Sequence, residues 1–487
     1  MFNIDITSLA FSDGAKFADI ARNITFGLGY ITSFDFWGSV NSVSIKPFMP
    51  YSIATFFNLF GVSDFAVIAT SFFYFVLSVV FTFLLAQKIY GSKLVSVLTS
   101  FAVGFNHNLI NYATSGASES PFIFELLAAF YFLSFKKLWG NIVGIVFMAL
   151  MYFTRPQAII YIFGLVLYYF VINYSWKKSI LYIFISFLIG TVLYGLFSKQ
   201  GLVAVTQNLP GMAVSDSLRG SSVGFDLTAL IKKVFYNLYN FYKALPDIMN
   251  PYLFSIFIVG LFSWGKDKLQ NSFKISVLFV TLLTFLITAL TIPFYRYIHP
   301  VVPFVYIVAI AALVDIITYF VSEWSIKNKS IVVGVVSFLL ILLFGVGQTL
   351  GVIFLDSRFE RKMKNTDKAP IYVEMSYKLK EVTDKDMVIV TNLDTWGSWY
   401  GERKTIWFPL EPNMILPVQD NIDAIYLTSY KIDDENYYMG EKWREIFNNP
   451  VKQTILPDYE FVGEYQFKAD DNYEKESGRA VLLKRKK

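Results

Sequence analysis

Long apolar segments constrain this chain more than any other feature of its sequence. A helix that crosses the hydrocarbon core of a bilayer needs about 20 mostly apolar residues, because its backbone polar groups must bond within the helix itself. Ten segments meet or approach this length, and we predict that each is a membrane-spanning helix: 65–87, 94–112, 121–135, 138–154, 156–176, 179–198, 250–264, 273–292, 300–321 and 330–355. The chain is therefore predicted to be a polytopic α-helical integral membrane protein.

Charge divides the chain into two unequal parts. Of its 42 Lys and Arg and 37 Asp and Glu residues, 34 fall within residues 1–355 and 45 within residues 356–487. Because soluble domains carry about 25% charged residues, we predict a transmembrane domain over 1–355 and a water-soluble α/β domain over 356–487. Periodicity within the second part predicts helices near 370–383 and 440–448 and strands near 387–392, 404–408, 423–428, 460–467 and 479–484.

Lysines occur in every second loop between the predicted spans, and they predict the orientation of the chain. Five loops hold them: Lys88 and Lys93; Lys136 and Lys137; Lys177 and Lys178; Lys266, Lys268 and Lys274; and Lys327 and Lys329. Basic loops stay on the cytoplasmic side, so the formal charge of +5 argues for orientation rather than for nucleic-acid binding. We therefore predict that loops 1–64, 107–121, 199–249 and 293–299 and the C-terminal domain are extracytoplasmic at the plasma membrane.

The first outer loop contains an amphipathic segment that begins near Asp13. Phe17, Ile20 and Ile24 share one face of the predicted helix, which ends at Gly27. Such a helix is expected to lie along the membrane surface, and a second one is expected within the long outer loop. Asp13 has two interpretations, a helix N-cap or a carboxylate that does chemistry at this surface. Since about sixty outer residues have no signal peptide or span before them, we expect a further helix ahead of the first residue.

Four more charged side chains lie at the predicted outer ends of spans. Glu119 either caps the third span or lines a site, and Glu125 lies about one turn deeper, where acids face the bundle interior or a water-filled cavity. For Glu125 a structural hydrogen bond is the alternative interpretation. Arg155 and Arg296 each stand beside proline and aromatic residues. They either reach for lipid headgroups or hold a phosphate with the guanidinium fork.

Metal and nucleotide chemistry have little support in the sequence. The chain has no cysteine, and its two histidines, His107 and His299, are both predicted on the outer side without the spacing of a metal site. No glycine-rich phosphate loop, GxSxG elbow or HExxH motif occurs. We therefore expect that the protein does not consume nucleotides. The sequence identifies no cofactor with certainty, and dependence on a divalent cation stays an open question.

Several short segments, taken together in their order along the chain, resemble one superfamily. They are the acid at Asp13 ahead of an Ala-Arg-Asn helix, Lys46-Pro-Phe-Met-Pro50, Ser118-Glu-Ser-Pro121, Thr154-Arg-Pro156 and Arg296-Tyr-Ile-His-Pro-Val-Val-Pro303. Together with the topology they resemble the GT-C superfamily, specifically its family-39-like polyprenyl-phosphate-dependent glycosyltransferases. Protein O-mannosyltransferases and lipid A aminoarabinose transferases belong to this group. The resemblance covers roughly residues 10–320.

The resemblance implies a fold, an activity and a set of site residues. The fold is a helical membrane bundle with interfacial helices, often followed by an extracytoplasmic domain. The activity is transfer of a sugar, usually with inversion, from a polyprenyl-phosphate donor to a protein, lipid or glycan acceptor. Asp13 would match the first-loop acid and Glu119 the second, and Arg155 and Arg296 would contact the donor phosphate. One departure is Gly14, because O-mannosyltransferases have Asp-Glu at this place.

The chemistry of such a transfer suits these residues. One carboxylate must take the proton of the acceptor hydroxyl, and fixed cations can stabilise the departing lipid phosphate. We nominate Asp13 first as the base and Glu119 second, with Tyr297, His299, Glu125 and His107 as further candidates for substrate binding. Membrane lipids are the other expected partner.

Two competing interpretations remain. A transporter or flippase for a lipid-linked substrate could use the same spans and arginines, although no inverted repeat is visible. A surface-display protein without enzymatic activity is the third interpretation, against which the surface helix argues weakly. Turnover of a polyprenyl-phosphate sugar separates all three.

Overall fold

The structure, a computed structural model, describes residues 9, 12–37, 45–174, 226–263, 267–323, 328–347, 369–434, 437–468 and 477–486. Its N-terminal part is helical: α1 (Ser12–Thr25), α2 (Phe48–Phe60), α3 (Asp64–Tyr90), α4 (Lys93–Gly104), α5 (His107–Ala113), α6 (Glu119–Leu133), α7 (Leu138–Thr154), α8 (Ala158–Asn173), α9 (Leu227–Lys243), α10 (Leu245–Ile248), α11 (Pro251–Phe262), α12 (Lys268–Leu290), α13 (Val302–Ser322) and α14 (Lys329–Leu340). A π-helical turn, Ile341–Val346, continues α14.

Apart from 94–112, the predicted spans coincide with helices wherever the structure describes them. Within the described residues, four helical stretches are long and apolar enough to cross a membrane: Asp64–Tyr90, Lys268–Leu290, Tyr295–Ser322 and Lys329–Val346. Shorter apolar helices accompany them, and α13 is the most buried of the long helices, with every residue from Val302 to Val314 buried. The predicted span 179–198 lies outside the described residues. The expected second amphipathic helix is α9.

The prediction of one span over 94–112 is wrong. The first helix ends at Gly104, and α5 starts afresh at His107. Asn106 has extended backbone angles, and its side-chain oxygen accepts a hydrogen bond of 3.1 Å from the backbone N–H of Leu109. Asparagine in this position is a strong N-cap, and it therefore divides a segment whose hydropathy alone is continuous.

The C-terminal part is a six-stranded mixed sheet with helices. Its strands are β1 (Phe34–Asp35), β2 (Val388–Thr391), β3 (Lys404–Trp407), β4 (Ala424–Thr428), β5 (Tyr459–Phe467) and β6 (Gly478–Arg485), in the order β1-β3-β2-β4-β6-β5. The first four are parallel, whereas β5 and β6 are antiparallel. The helices are α15 (Ile371–Val382), α16 (Trp396–Trp399) and α17 (Glu441–Asn448). The α/β prediction is thus confirmed, while β1 and α16 were missed.

The start of the chain shares a core with this sheet. Apolar residues of α1 and α2 belong to the same buried cluster as the strands, and Phe57 of α2 stacks on Trp399 at 6.0 Å between ring centroids. Arg22 donates hydrogen bonds to the carbonyls of Ser398 and Trp399, and Asp64 accepts from the indole N–H of Trp399. The helix α1 is therefore fixed between the membrane helices and the C-terminal sheet. A domain boundary near residue 355 stays a prediction.

Candidate functional site

The first turn of α1 is held tightly against the turn between α5 and α6. A Cβ atom on Gly14 would lie 2.3 Å from the backbone oxygen of Ser115, so this position accepts only glycine without a backbone shift. Gly116, on the opposing turn, has a φ of +72°, a conformation that suits glycine. Gly14 therefore has a steric reason to follow Asp13, where the resembling O-mannosyltransferases have glutamate.

Asp13 forms an ion pair with Arg296. The carboxylate Oδ2 and the guanidinium Nη1 are 2.5 Å apart, and the short 3₁₀ turn Tyr295–Tyr297 presents the arginine. Protein surrounds the pair on most sides, yet 41% of the Asp13 side-chain surface and 27% of that of Arg296 remain accessible. Burial alone would raise the pKa of Asp13, but the charge and hydrogen bond of Arg296, with Arg155 and Lys16 nearby, hold that pKa below its usual value.

Glu119 forms a second ion pair, with Arg155. Their Oε1 and Nη1 atoms are also 2.5 Å apart, but only 1% and 8% of the two side chains are accessible. Arg155 follows the last residue of α7 with an extended backbone, as expected for a residue before proline. Its Nη1 atom also donates a 3.2 Å hydrogen bond to the hydroxyl of Ser118.

The ring of Tyr297 joins the two ion pairs. The guanidinium carbon of Arg155 lies 5.6 Å from the centroid of this ring and that of Arg296 lies 5.5 Å from it. A hydrogen bond of 3.0 Å from the hydroxyl of Tyr161 to the backbone oxygen of Tyr297 fixes the turn. The structure thus brings Asp13, Glu119, Arg155, Arg296 and Tyr297 into one cluster. Cations over an aromatic face attract its negative quadrupole, and the ring can hold both guanidiniums in place.

The remaining predicted residues lie around this cluster in structural contacts. Glu125, deeper in α6, accepts a 2.8 Å hydrogen bond from the hydroxyl of Thr154. His299 is buried, with Nδ1 hydrogen-bonded to the hydroxyl of Tyr112 and Nε2 3.3 Å from the backbone oxygen of Asp247. Since a carbonyl only accepts, Nε2 carries the proton and Nδ1 accepts. His107, the first residue of α5, lies close enough to His299 for their charges to interact.

Metal binding has no further support here. Among the residues that the structure describes, no group of three or more His, Asp or Glu side chains stands close enough to share a metal ion.

Two charged residues beside Asp13 were not predicted. Lys16, one turn further along α1, is 8% exposed, and its ammonium lies 4.2 Å from the ring centroid of Phe36. Asp394 comes from the C-terminal sheet and is 3% exposed. The i, i+3 spacing of Asp13 and Lys16 could have revealed the first. No local pattern connects Asp394 with a helix at the other end of the chain.

A helical bundle with several apolar helices and a C-terminal α/β part is the arrangement of a class of protein, the GT-C fold. Among the solved structures that match this chain are two of ArnT from Cupriavidus metallidurans. The one bound to undecaprenyl phosphate matches with a TM-score of 0.56 and 11% identity, over 98% of this chain and 95% of that chain. The apo state matches with a TM-score of 0.52 and 12% identity, over 96% and 93%.

The sequence comparisons agree with this fold. Residues 44–196 match the family described as dolichyl-phosphate-mannose-protein mannosyltransferase. No curated protein matches the chain. The resemblance to the GT-C superfamily is therefore confirmed, and the fold is that of an integral membrane protein.

Proposed function

We propose that this protein is an inverting glycosyltransferase that moves a hexose or pentose from a polyprenyl-phosphate donor to an extracytoplasmic protein, lipid or glycan. The observation that carries the proposal is the cluster of two carboxylate–arginine pairs around Tyr297, one of which stays accessible. An accessible carboxylate next to an accessible guanidinium offers a base and an anion-binding group in one place.

The donor is inferred from the comparisons. The ArnT structure holds undecaprenyl phosphate, and the matched family is named for dolichyl-phosphate-mannose; both are lipids with a long isoprenoid chain on a phosphate. A lipid-borne donor also suits a site that lies where apolar helices end, at Arg155 after α7 and at Arg296 before α13. The lysines of alternate loops support the extracytoplasmic side for this end of the bundle.

In the proposed reaction, Asp13 accepts the proton of an acceptor hydroxyl. The oxygen of that hydroxyl attacks the anomeric carbon from the face opposite the phosphate. The bond between the anomeric carbon and the phosphate oxygen breaks, and its electron pair stays on the phosphate. Arg296 binds the phosphate and stabilises the charge that develops there. The leaving group is already a stable anion, so no general acid is required.

The ion pair of the resting site adds a coupling between donor and base. Arg296 lowers the pKa of Asp13, which makes the free carboxylate a weak base. A donor phosphate that draws the guanidinium toward itself weakens this pair and adds a negative charge nearby, and both changes raise the pKa of Asp13. The base is therefore strengthened when the donor has bound.

The test uses the full-length protein in proteoliposomes with radiolabelled polyprenyl-phosphate hexoses and pentoses and a membrane extract as the acceptor source. We expect cleavage of the sugar–phosphate bond, and a loss of roughly two to four orders of magnitude with Asp13→Asn. The control Asp384→Asn, in an exposed loop, should keep the wild-type rate. Asn still accepts the hydrogen bond of Arg296 but takes no proton.

The alternatives give other results. Movement of intact donor across the bilayer without cleavage would identify a transporter. Wild-type turnover in Asp13→Asn would reject Asp13 as the base.

A further inference from the structure

Asp394 lies near the end of β2, where the direction in which successive strands are added to the sheet reverses. The chain passes from β2 to β3 on one side and then to β4 on the other, so the carboxyl end of β2 is a topological switch point. Crevices at such points are where parallel sheets place functional residues. Asp394 comes three residues after the end of β2 and has a φ of +59°. This conformation is rare for residues other than glycine and is retained where the surroundings enforce it.

Several hydrogen bonds hold the carboxylate of Asp394 in a single orientation. Its Oδ1 accepts a 2.7 Å bond from the backbone N–H of Thr395, and its Oδ2 accepts a 3.1 Å bond from the hydroxyl of Tyr437. Asn392 links the ends of β2 and β4 through two 2.8 Å bonds with the backbone of Thr428. The strained residue therefore stands on a rigid support.

The same turn contacts α1 directly. The hydroxyl of Thr395 donates a 2.5 Å hydrogen bond to the backbone oxygen of Ser12, the residue before Asp13. Lys16 is buried against the rings of Phe34 and Phe36. Its charge interacts with the carboxylates of both Asp13 and Asp394. The turn after β2 thus contributes two things near the proposed base: the hydrogen bond from Thr395 to Ser12 and the carboxylate of Asp394.

We propose that Asp394 is a positioning residue for the transfer reaction, which with Lys16 and the Thr395–Ser12 contact makes the C-terminal domain a part of the active site. This inference rests on the proposed role of Asp13 as the base. Asp394 and Lys16 act on Asp13 through their charges, and neither needs to touch the substrate. The C-terminal domain is then required for chemistry as well as for covering the bundle.

Lys16 and Asp394 carry opposite charges and therefore have opposite effects on proton uptake by Asp13. Asp13 faces Arg296, Lys16 and Arg155, which lower its pKa against the effect of burial. Burial and, to a smaller extent, the charge of Asp13 raise the pKa of Asp394 to about 6, against the hydrogen bonds of Thr395, Tyr437 and Ser12. Asp394 therefore gains its charge only above about pH 6, where Asp13 is already ionised, and above that pH its negative charge favours proton uptake by Asp13.

Lys16 is surrounded by carboxylates. Burial lowers its pKa, whereas Asp13, Asp394, Asp35 and Asp19 raise it. Lys16 is therefore a buried cation that interacts with both Asp13 and Asp394.

The test is the pH dependence of kcat/KM for donor cleavage by the full-length protein. Lys16→Met removes a positive charge and should move the acidic limb of Asp13 to higher pH, by roughly half to one unit, below the 1–3 units of a charge in direct contact. In the wild-type protein the rate should rise again as Asp394 ionises near pH 6, and Asp394→Asn should remove this second rise. The matched control Asp384→Asn should leave the limb unchanged.

Each outcome decides the inference. A higher limb in Lys16→Met together with loss of the rise near pH 6 in Asp394→Asn supports it. An unchanged limb in Lys16→Met, or a rise near pH 6 that persists in Asp394→Asn, overturns it even where Asp394→Asn lowers the rate or the thermal stability. If Asp394→Asn does not fold, Lys16→Met alone decides, by a shift to higher pH or none. Full turnover in Asp13→Asn would instead reject Asp13 as the base, and absence of donor cleavage by the wild-type protein would reject the proposed function, so these failures are distinguishable.

Discussion

The two ion pairs of the site have the same length but different surroundings. Asp13 and Arg296 are 2.5 Å apart and keep 41% and 27% of their side-chain surfaces accessible, whereas Glu119 and Arg155, also 2.5 Å apart, keep 1% and 8%. An accessible pair can exchange its partners for a phosphate or a hydroxyl at small cost, because water compensates the separated charges. A buried pair cannot separate without leaving a charge in a poorly solvated place.

The comparison suggests a division of labour between the pairs. The accessible pair is formed by a residue of α1 and a residue of the turn before α13, two parts of the chain that are distant in sequence. The buried pair joins the start of α6 to the end of α7, two neighbouring helices, and Tyr297 contacts both arginines. We infer that the Glu119–Arg155 pair is the support on which the proposed chemistry of Asp13 and Arg296 takes place.

Breaking the buried pair should have the largest effect on stability. Glu119→Gln leaves Arg155 buried without its counter-charge, which we expect to lower the free energy of unfolding by about 3–5 kcal/mol. Thermal unfolding in detergent measures this change. Asp13→Asn, at the accessible pair, should change stability by about 0.5 kcal/mol or less.

The double variant Glu119→Gln/Arg155→Met is the control for the buried pair. It removes both charges and should recover much of the loss. If Glu119→Gln kept wild-type stability and instead abolished turnover, the roles of the two pairs would be reversed and Glu119 would become the proposed base.

The next effect concerns the placement of Asp13. Gly14→Ala would put a methyl group 2.3 Å from the backbone oxygen of Ser115, so α1 or the opposing turn must move. Overpacking of this kind costs about 1–3 kcal/mol, and turnover should fall further because Asp13 leaves Arg296. The matched control is Gly334→Ala, where the nearest neighbouring atom would be 3.9 Å away. Equal behaviour of the two variants would show that the close contact is not needed.

An element of this fold was predictable from the sequence where its pattern lies within the element itself. Apolar length found the four described helices that are long enough to cross a membrane, and alternation found β2 to β6, because both patterns repeat within one element. The break at Asn106 was missed because an N-cap changes the backbone without changing hydropathy. The strand β1 was missed because two residues, Phe34 and Asp35, form it only by pairing with Thr405 and Ile406.

For the candidate site, local sequence patterns predicted individual residues but not the contacts between residues distant in the chain. The candidates Asp13, Glu119, Arg155 and Arg296 came from their positions at the predicted ends of spans and from the family resemblance. Their pairing was not predictable, since no pattern in the chain says which acid meets which arginine. Asp394 could not be nominated, because only the packing of the sheet on α1 brings it near Asp13.

A smaller effect should separate the two arginines. Lys keeps the positive charge but loses the planar fork, so Arg296→Lys should raise KM for the donor roughly tenfold, as expected for one lost hydrogen bond to a charged group. Arg155→Lys should act chiefly on thermal stability, because its partner is buried. Steady-state kinetics with a fixed acceptor and the unfolding midpoint measure the two effects. A change of KM by Arg155→Lys alone would place the donor phosphate at the buried pair.

The smallest effect is a difference between two pH profiles of the wild-type protein. Arg296 lowers the pKa of Asp13 in the free enzyme, and only the ionised carboxylate accepts a proton, so the rate falls as the pH decreases through this pKa. The acidic limb of kcat/KM reports the free enzyme, and that of kcat reports the complex with bound donor. If the donor phosphate draws Arg296 away, the pKa of Asp13 is higher in the complex. The limb of kcat should therefore lie at higher pH than that of kcat/KM, by roughly one unit. The same separation should persist in Asp384→Asn and shrink in Arg296→Lys, which holds the phosphate less firmly. Coincident limbs in the wild-type protein would mean that Asp13 and Arg296 stay paired during turnover, and the accessible pair would then be as fixed as the buried one.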